Sequence, residues 1–508
     1  MTAAADDLNA LARGGRTNIL GFIIRLVARM PFLFIAGRWY GPDAVGRLAI
    51  AVVVIEFAAL VATLGLKRGF AQALAQTERP HAHVVWDGMV VAAIASAIAG
   101  ALLIALPQVM YPYGDITLVE RLFPVVILFT ALSDVALAAL AYRHNVKASV
   151  TARAVVEPWT ISAAAGLFWY VNARNGLVLS YMVAMTGALI ASLIPLIRSY
   201  GLPRGWKPQL ASVFTLARHN IPLAAADAIE WLTRNVDRFI LGVLFPPAAV
   251  GIYYMAQQIS SIPQKLKSSF DPIMGPVITT AIARGDKPAI AAQVRQVGFW
   301  VMSLQICLAL MASIPGEALM GLVGPHFVAG TAALGILLWA EALASTGSVC
   351  ESALVYIARH RNLMISAGVL AFQIALSFAL VAYMKALDWE HSIFAQLGAN
   401  KNAVQSASVA VALLIALTIG SVIKSNFLAR LLQARVAGWR FSQLWAIAAA
   451  LIVGAAFTAL PKRYEWIEIA IGMPAIMVTY LYVLWTWAFG PADRALIKSL
   501  EGTAPAEA

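Results

Sequence analysis

"FIAGRWYGPDAVG" occupies residues 34–46, and "FILGVLFPPAAVG" occupies residues 239–251. Aligned without a gap at an offset of 205, they share seven of thirteen residues: Phe34/Phe239, Ile35/Ile240, Gly37/Gly242, Pro42/Pro247, Ala44/Ala249, Val45/Val250 and Gly46/Gly251. The same register carries Arg29 onto Arg234. Each copy places Gly and Pro between two apolar stretches, so each reads as the turn of a helical hairpin. The chain therefore says the same thing twice, 205 residues apart in a chain of 508. How the two halves are related depends on what surrounds them.

The surroundings are apolar. Hydrophobic residues make up 61% of the chain and charged residues 12%, against roughly 25% charged in soluble domains. The mean hydropathy is +0.78. A net charge of +12 raises the question of nucleic acid, but in a membrane chain excess Lys and Arg belong to cytoplasmic loops. The two cysteines, Cys307 and Cys350, lie in apolar stretches and imply no disulfide framework. The first apolar stretch contains Arg25 and Arg29, unlike the uncharged centre of a cleaved signal peptide. It is read as a retained first span.

A bilayer core takes about 20 apolar residues per helix. Fourteen stretches qualify, from 19–38 and 44–66, through 219–245 and 248–270, to 441–461 and 465–489. With the N-terminus inside, the inner segments carry 25 Lys and Arg and the outer segments 8. That bias places both ends in the cytoplasm. The two copies of the repeat join spans 1–2 and spans 7–8. Six spans separate them, an even number, so the copies have the same orientation and the repeat is parallel. The expectation is an all-α polytopic membrane protein: cytoplasmic N-terminus 1–18, six-helix bundle 19–197, cytoplasmic linker 198–218, second six-helix bundle 219–428, two appended spans within 441–489, and cytoplasmic tail 490–508.

Six segments carry a resemblance: "GRWYGPDAVGRLAIA" (37–51), "LGLKRG" (64–69), "NVDRFILG" (235–242), "AVGIYYMAQQI" (249–259), "LVGPHFVAGTAALGIL" (322–337) and "FGPADR" (489–494). In order and spacing the chain resembles the multidrug/oligosaccharidyl-lipid/polysaccharide exporter (MOP) superfamily. Within it, the chain looks most like the O-antigen and exopolysaccharide flippases. The resemblance implies a MATE-like fold and passage of polyprenyl-pyrophosphate-linked oligosaccharide across the bacterial inner membrane by alternating access. It implies a lipid-linked glycan, membrane lipids and polysaccharide polymerase or export proteins as partners, with no nucleic acid. Two relatives by function remain open: a peptidoglycan-precursor flippase, whose cavity would also be cationic, and a cation-coupled multidrug antiporter, against which Arg25 and Arg29 argue.

A charge at the centre of a membrane helix costs about 3 kcal/mol on insertion scales. Span 7 holds Asp227, Glu230, Arg234 and Asp237, which fall within an arc of about 80° on a helix. Span 1 holds Arg25 and Arg29, one turn apart. Such charges face one another or water, which suggests a hydrated cavity lined by spans 1 and 7. Guanidinium groups grip phosphate oxygens through a fixed fork of donors, so Arg25, Arg29 and Arg234 are the candidate pyrophosphate ligands. The competing reading is structural ion pairing, for example Glu230 with Arg234 at i,i+4. Asp237 and Arg238 read as a structural pair at the outer interface.

Glu56, Asp134, Glu157, Glu341 and Glu351 read as isolated carboxylates in other spans. A buried carboxylate carries a proton or coordinates Na⁺, so Glu56, Asp227, Glu230 and Glu341 are the candidates for coupling to H⁺ or Na⁺. Tyr253 and Tyr254 read as belt aromatics, and Pro222 and Pro263 as kink points. No phosphate loop of the GxxxxGK[ST] kind and no GxSxG nucleophile is present. His81 and His83 alone do not make a metal site. No catalytic residue, metal or resident cofactor is expected.

Overall fold

The computed structural model describes residues 27–203, 205–207, 210–268, 284–387, 401–461, 464–490 and 494. Arg25 and the N-terminal 1–18 segment lie outside them. Every regular element among the described residues is helical, as a bilayer demands of a chain that must satisfy its own backbone.

The helices are α1 (27–40), α2 (Gly41–Ala62), α3 (Leu66–Gln76), α4 (His81–Ala105), α5 (Leu118–Tyr142), α6 (Glu157–Asn172), α7 (Gly176–Tyr200), α8 (Leu210–Leu244), α9 (Pro247–Ser268), α10 (Lys287–Ser313), α11 (Gly316–Val323), α12 (Thr331–Ile357), α13 (Arg359–Ala386), α14 (Lys401–Leu432), α15 (Gln443–Thr458) and α16 (Glu465–Ala488). Among the described residues, nine helical stretches are long and apolar enough to cross a membrane. The first, Val27–Ala62, takes in residues 27–38 of the first expected span and 44–62 of the second. Its backbone breaks at Gly41, at φ +79°, a left-handed value that favours glycine. α15 is apolar but only 16 residues long. α8 runs 35 residues and carries Asp227, Glu230, Arg234, Asp237 and Arg238, which lower its hydropathy below that of an ordinary span.

Two compact units form. One comprises Met1–Met255 with Val323–Phe327, the other Ala256–Leu322 with Val328–Ala508. In the first unit, α5 packs on α3, α4, α7 and α2, while α6 pairs with α7 and α8 lies along α2. α3 shows why a short helix holds: Leu66, Phe70 and Leu74 recur every four residues on one face and are fully buried against Val85, Val135, Leu140 and Leu196. The residue at the α5 start, Thr117, accepts from the Glu120 amide while the Glu120 carboxylate accepts from the Thr117 amide, a reciprocal cap.

In the second unit, α12 packs on α14 and α10, α13 on α14, and α15 on α16. Ile290 and Val294 of α10, Val349 and Cys350 of α12, and Leu428 and Leu432 of α14 make its core. Small residues set the closest crossing: the Gly347 amide donates to Ser421 Oγ at 2.8 Å. The appended α15 and α16 are anchored on α10. Gln443 Nε2 donates to Ser303 Oγ at 2.8 Å, and Gly454 lies against Ile314.

The repeated strings meet within the first unit. A Cβ added to Gly46 would fall on the Pro247 carbonyl oxygen, and one added to Gly251 would fall on the Pro42 carbonyl oxygen. Residue 42 is to 251 as 247 is to 46, so the contact is locally two-fold. Both prolines stand in the first turn of their helices, where the missing amide costs nothing. The other repeated glycines are also contact points. Gly242 abuts the Ile50 side chain, and Gly37 abuts the Val323 carbonyl.

Candidate functional site

A charged cluster lies inside the first unit. Arg153 stands in a π turn, Thr151–Val156, just before α6. Such turns re-aim side chains and are frequent at functional sites. Its guanidinium donates to Asp134 of α5 with one nitrogen and to Glu157 Oε2 at 3.0 Å with another. Lys67 Nζ lies 4.0 Å from the second Asp134 oxygen. Arg29 of α1 is half-buried, within electrostatic reach of Tyr254, Glu157, Glu56 and Tyr181. Tyr181 of α7 donates to Glu56 Oε1 at 3.4 Å. Six helices and the π turn thus bring Arg29, Glu56, Asp134, Arg153, Glu157, Tyr181 and Tyr254 together.

Asp134, read from the sequence as solitary, is paired with Arg153, and Arg153 pairs with Glu157 as well. Glu56 is hydrogen-bonded by Tyr181 rather than alone. Glu351, in the second unit, receives Lys424 Nζ at 2.9 Å. These pairings follow from cost, since an unpaired buried charge is expensive. Arg29 and Arg153 face Glu56, Asp134 and Glu157, and Lys67 at the edge brings these six to neutrality.

The charges expected on span 7 separate in burial. Asp227 and Asp237 are buried, Arg234 is half-buried and Glu230 is exposed. Asp237 accepts from the Tyr253 hydroxyl and from the Arg238 amide. The Arg238 guanidinium donates to Asn235 Oδ1 and lies 5.6 Å from the Tyr254 ring centre. Tyr253 and Tyr254, at 0% and 7% exposure, are interior residues; the belt reading fails because Asp237 and Arg238 need polar partners in the interior. Trp231 of α8 meets Phe57 of α2, ring centres 5.5 Å apart, next in sequence to Glu56. Glu341 is buried on α12 of the second unit. α9 runs unbroken through Pro263. Among the described residues, no group of three His, Cys, Asp or Glu could hold a metal ion.

The chain is thus an all-helical membrane protein with an internal two-fold contact and a charged interior cluster. The solved structures that share the fold are transporters and flippases, not enzymes. They include the lipid II flippase MurJ in an inward closed conformation, at 11% identity and TM-score 0.68, covering 95% of this chain and 99% of that one. An inward-facing multidrug resistance MATE family transporter of the MOP superfamily matches at 12% identity and TM-score 0.63, covering 81% of this chain and 99% of that one. A MOP superfamily transporter from Pyrococcus furiosus, described as having a binding pocket of reverse polarity that suggests a different function, matches at 12% identity and TM-score 0.53, covering 84% of this chain and 95% of that one. No curated protein matches the sequence. The polysaccharide biosynthesis protein family matches residues 11–278, more than half of the chain, and the chain belongs to that family.

Proposed function

We propose that this protein is a flippase that carries a polyprenyl-pyrophosphate-linked oligosaccharide from the inner to the outer leaflet of the bacterial inner membrane by alternating access, for assembly of an O-antigen or exopolysaccharide. The observation that carries the reading is the match of the polysaccharide biosynthesis family to residues 11–278 in a chain with a transporter fold. Both chain ends lie in the cytoplasm in this reading, as the loop charges favour. Arg29 is the residue assigned to the diphosphate, with Arg234 and Arg25 as its companions. A half-buried guanidinium offers a planar fork that fits phosphate oxygens. Glu56, Asp227, Glu230 and Glu341 are the carboxylates through which H⁺ or Na⁺ would be coupled. Polysaccharide polymerase and export proteins would receive the product.

The test is genetic and chemical. Deletion of the gene should make a lipid-linked oligosaccharide accumulate on the inner leaflet, and mass spectrometry of the lipid extract identifies it. Loss of no polysaccharide and accumulation of no lipid-linked glycan overturns the reading.

One observation favours a peptidoglycan precursor as the cargo instead. The lipid II flippase covers 95% of the chain and the two exporters 81% and 84%. Residues 429–508, which hold the appended helices, make up about one-sixth of the chain, close to the share that the exporters leave uncovered. A disaccharide-pentapeptide accumulating in the deletion strain decides for that cargo.

A further inference from the structure

The connection between α4 and α5, residues 106–117, is bound very unequally to the two copies of the repeat. On the side of the first copy it is pinned by Arg47, the residue after Gly46. The Arg47 guanidinium donates to the Tyr113 carbonyl at 2.6 Å, to the Asp115 carbonyl at 3.0 Å, and to Glu120 Oε1 at 3.0 and 2.8 Å, and lies 5.2 Å from the Tyr111 ring centre. Glu120 is itself locked into the cap with Thr117, whose hydroxyl reaches Asn175 Oδ1 at 2.8 Å. Charge-assisted bonds of this kind are the strong ones. Burial beside Glu120 holds the Tyr111 phenol well above its ordinary range, and Glu120 is the acid that the Arg47 guanidinium pairs with.

On the side of the second copy the Tyr113 hydroxyl donates to the Val243 carbonyl near the end of α8, at 3.0 Å. Both residues are exposed, at 36% and 53%, so water can replace that bond. Just beside it, the two copies touch through Gly46, Gly251 and the Pro42 and Pro247 carbonyls. At the two glycines that contact is backbone against backbone.

We infer that residues 106–117 form a strap, fixed to α2 by Arg47, that latches the α8 end through Tyr113 and Val243, and that the glycine cross beneath it is a closure that parts when the protein exposes its interior on that face. The strap travels with the first copy and lets go of the second. This goes beyond the cargo assignment and needs only that the protein alternates.

The test uses the full chain with Tyr113→Cys and Val243→Cys joined by a short bis-methanethiosulfonate crosslinker, which bonds each thiol through a reducible disulfide and releases sulfinate; the native Cys307 and Cys350 are buried. A third cysteine is read out separately by Ile50→Cys, which lies under the cross against Gly242 and is 4% exposed. The expected results are that the crosslink stops polysaccharide export, that reductive cleavage restores it, and that Ile50→Cys reacts with a membrane-impermeant maleimide several-fold faster in Arg47→Gln or Tyr113→Phe backgrounds and not at all when residues 113 and 243 are joined. Undiminished export by the crosslinked protein, or Ile50→Cys labelling that is the same in every background, overturns the strap. If labelling responds as expected but no lipid-linked glycan depends on the protein, the strap stands and the cargo assignment falls.

Discussion

Arg153 and Arg29 share the carboxylates of one cluster but are held in different ways. Arg153 is gripped by Asp134 and Glu157, so removing it takes the guanidinium away from two partly buried acids. Breaking such an arrangement costs about 3–5 kcal/mol. Arg153→Gln is therefore expected to lower the melting temperature of the detergent-solubilised protein sharply, and adding Asp134→Asn and Glu157→Gln should recover most of the loss. Arg29→Gln should leave the melting temperature close to that of the wild type yet abolish transport, and Arg29→Lys should transport weakly because it keeps the charge but not the fork. Equal export by Arg29→Gln removes the anion assignment. The sequence marked Arg29 and Glu56 because charge in an apolar stretch is conspicuous. It left Asp134 without a partner because Arg153, nineteen positions away, reaches it only once α5 and the π turn before α6 are packed. The Arg153–Glu157 pair, at i,i+4, was readable from spacing.

At the scale of elements, the glycines separate into those that admit a neighbour and those that face open space. A Cβ on Gly347 would press into the Ser421 backbone, whereas one on Gly368 would meet nothing within 4 Å. Gly347→Ala should thus destabilise by about 1–3 kcal/mol through overpacking. Gly368→Ala, within α13, should stabilise by up to about 1 kcal/mol through helix propensity. Thermal melts of the two variants check both signs. The repeat was legible as two similar strings, and the turn signals placed both hairpins correctly. That the copies press Gly46 on Pro247 and Gly251 on Pro42 was not, because identity at a fixed offset gives equivalence and not contact. The Thr117–Glu120 cap, by contrast, is a local signature that spacing alone can reveal.

At the scale of the molecule, the sequence showed that spans 13 and 14 lack a counterpart in the repeat; what they cover is visible only in three dimensions. α15 and α16 shield Ser303 and Ile314 of α10, and Arg440 stacks on Phe299 at 3.7 Å. A chain ending at residue 436 should therefore insert but aggregate on extraction, as size-exclusion profiles would reveal; a monodisperse truncated protein contradicts a covering role. The all-helical class was legible because a bilayer permits little else, while the count of spans was less so, since the charges of α8 mask its length. The central claim is movement of a lipid-linked glycan, and reconstitution tests it most directly. Purified protein in liposomes carrying a fluorescent polyprenyl-pyrophosphate oligosaccharide should bring that lipid to the outer leaflet, where an impermeant glycosidase cleaves it, while Arg29→Gln liposomes should not. Cleavage no faster than in protein-free liposomes, or equal cleavage with Arg29→Gln, contradicts the account.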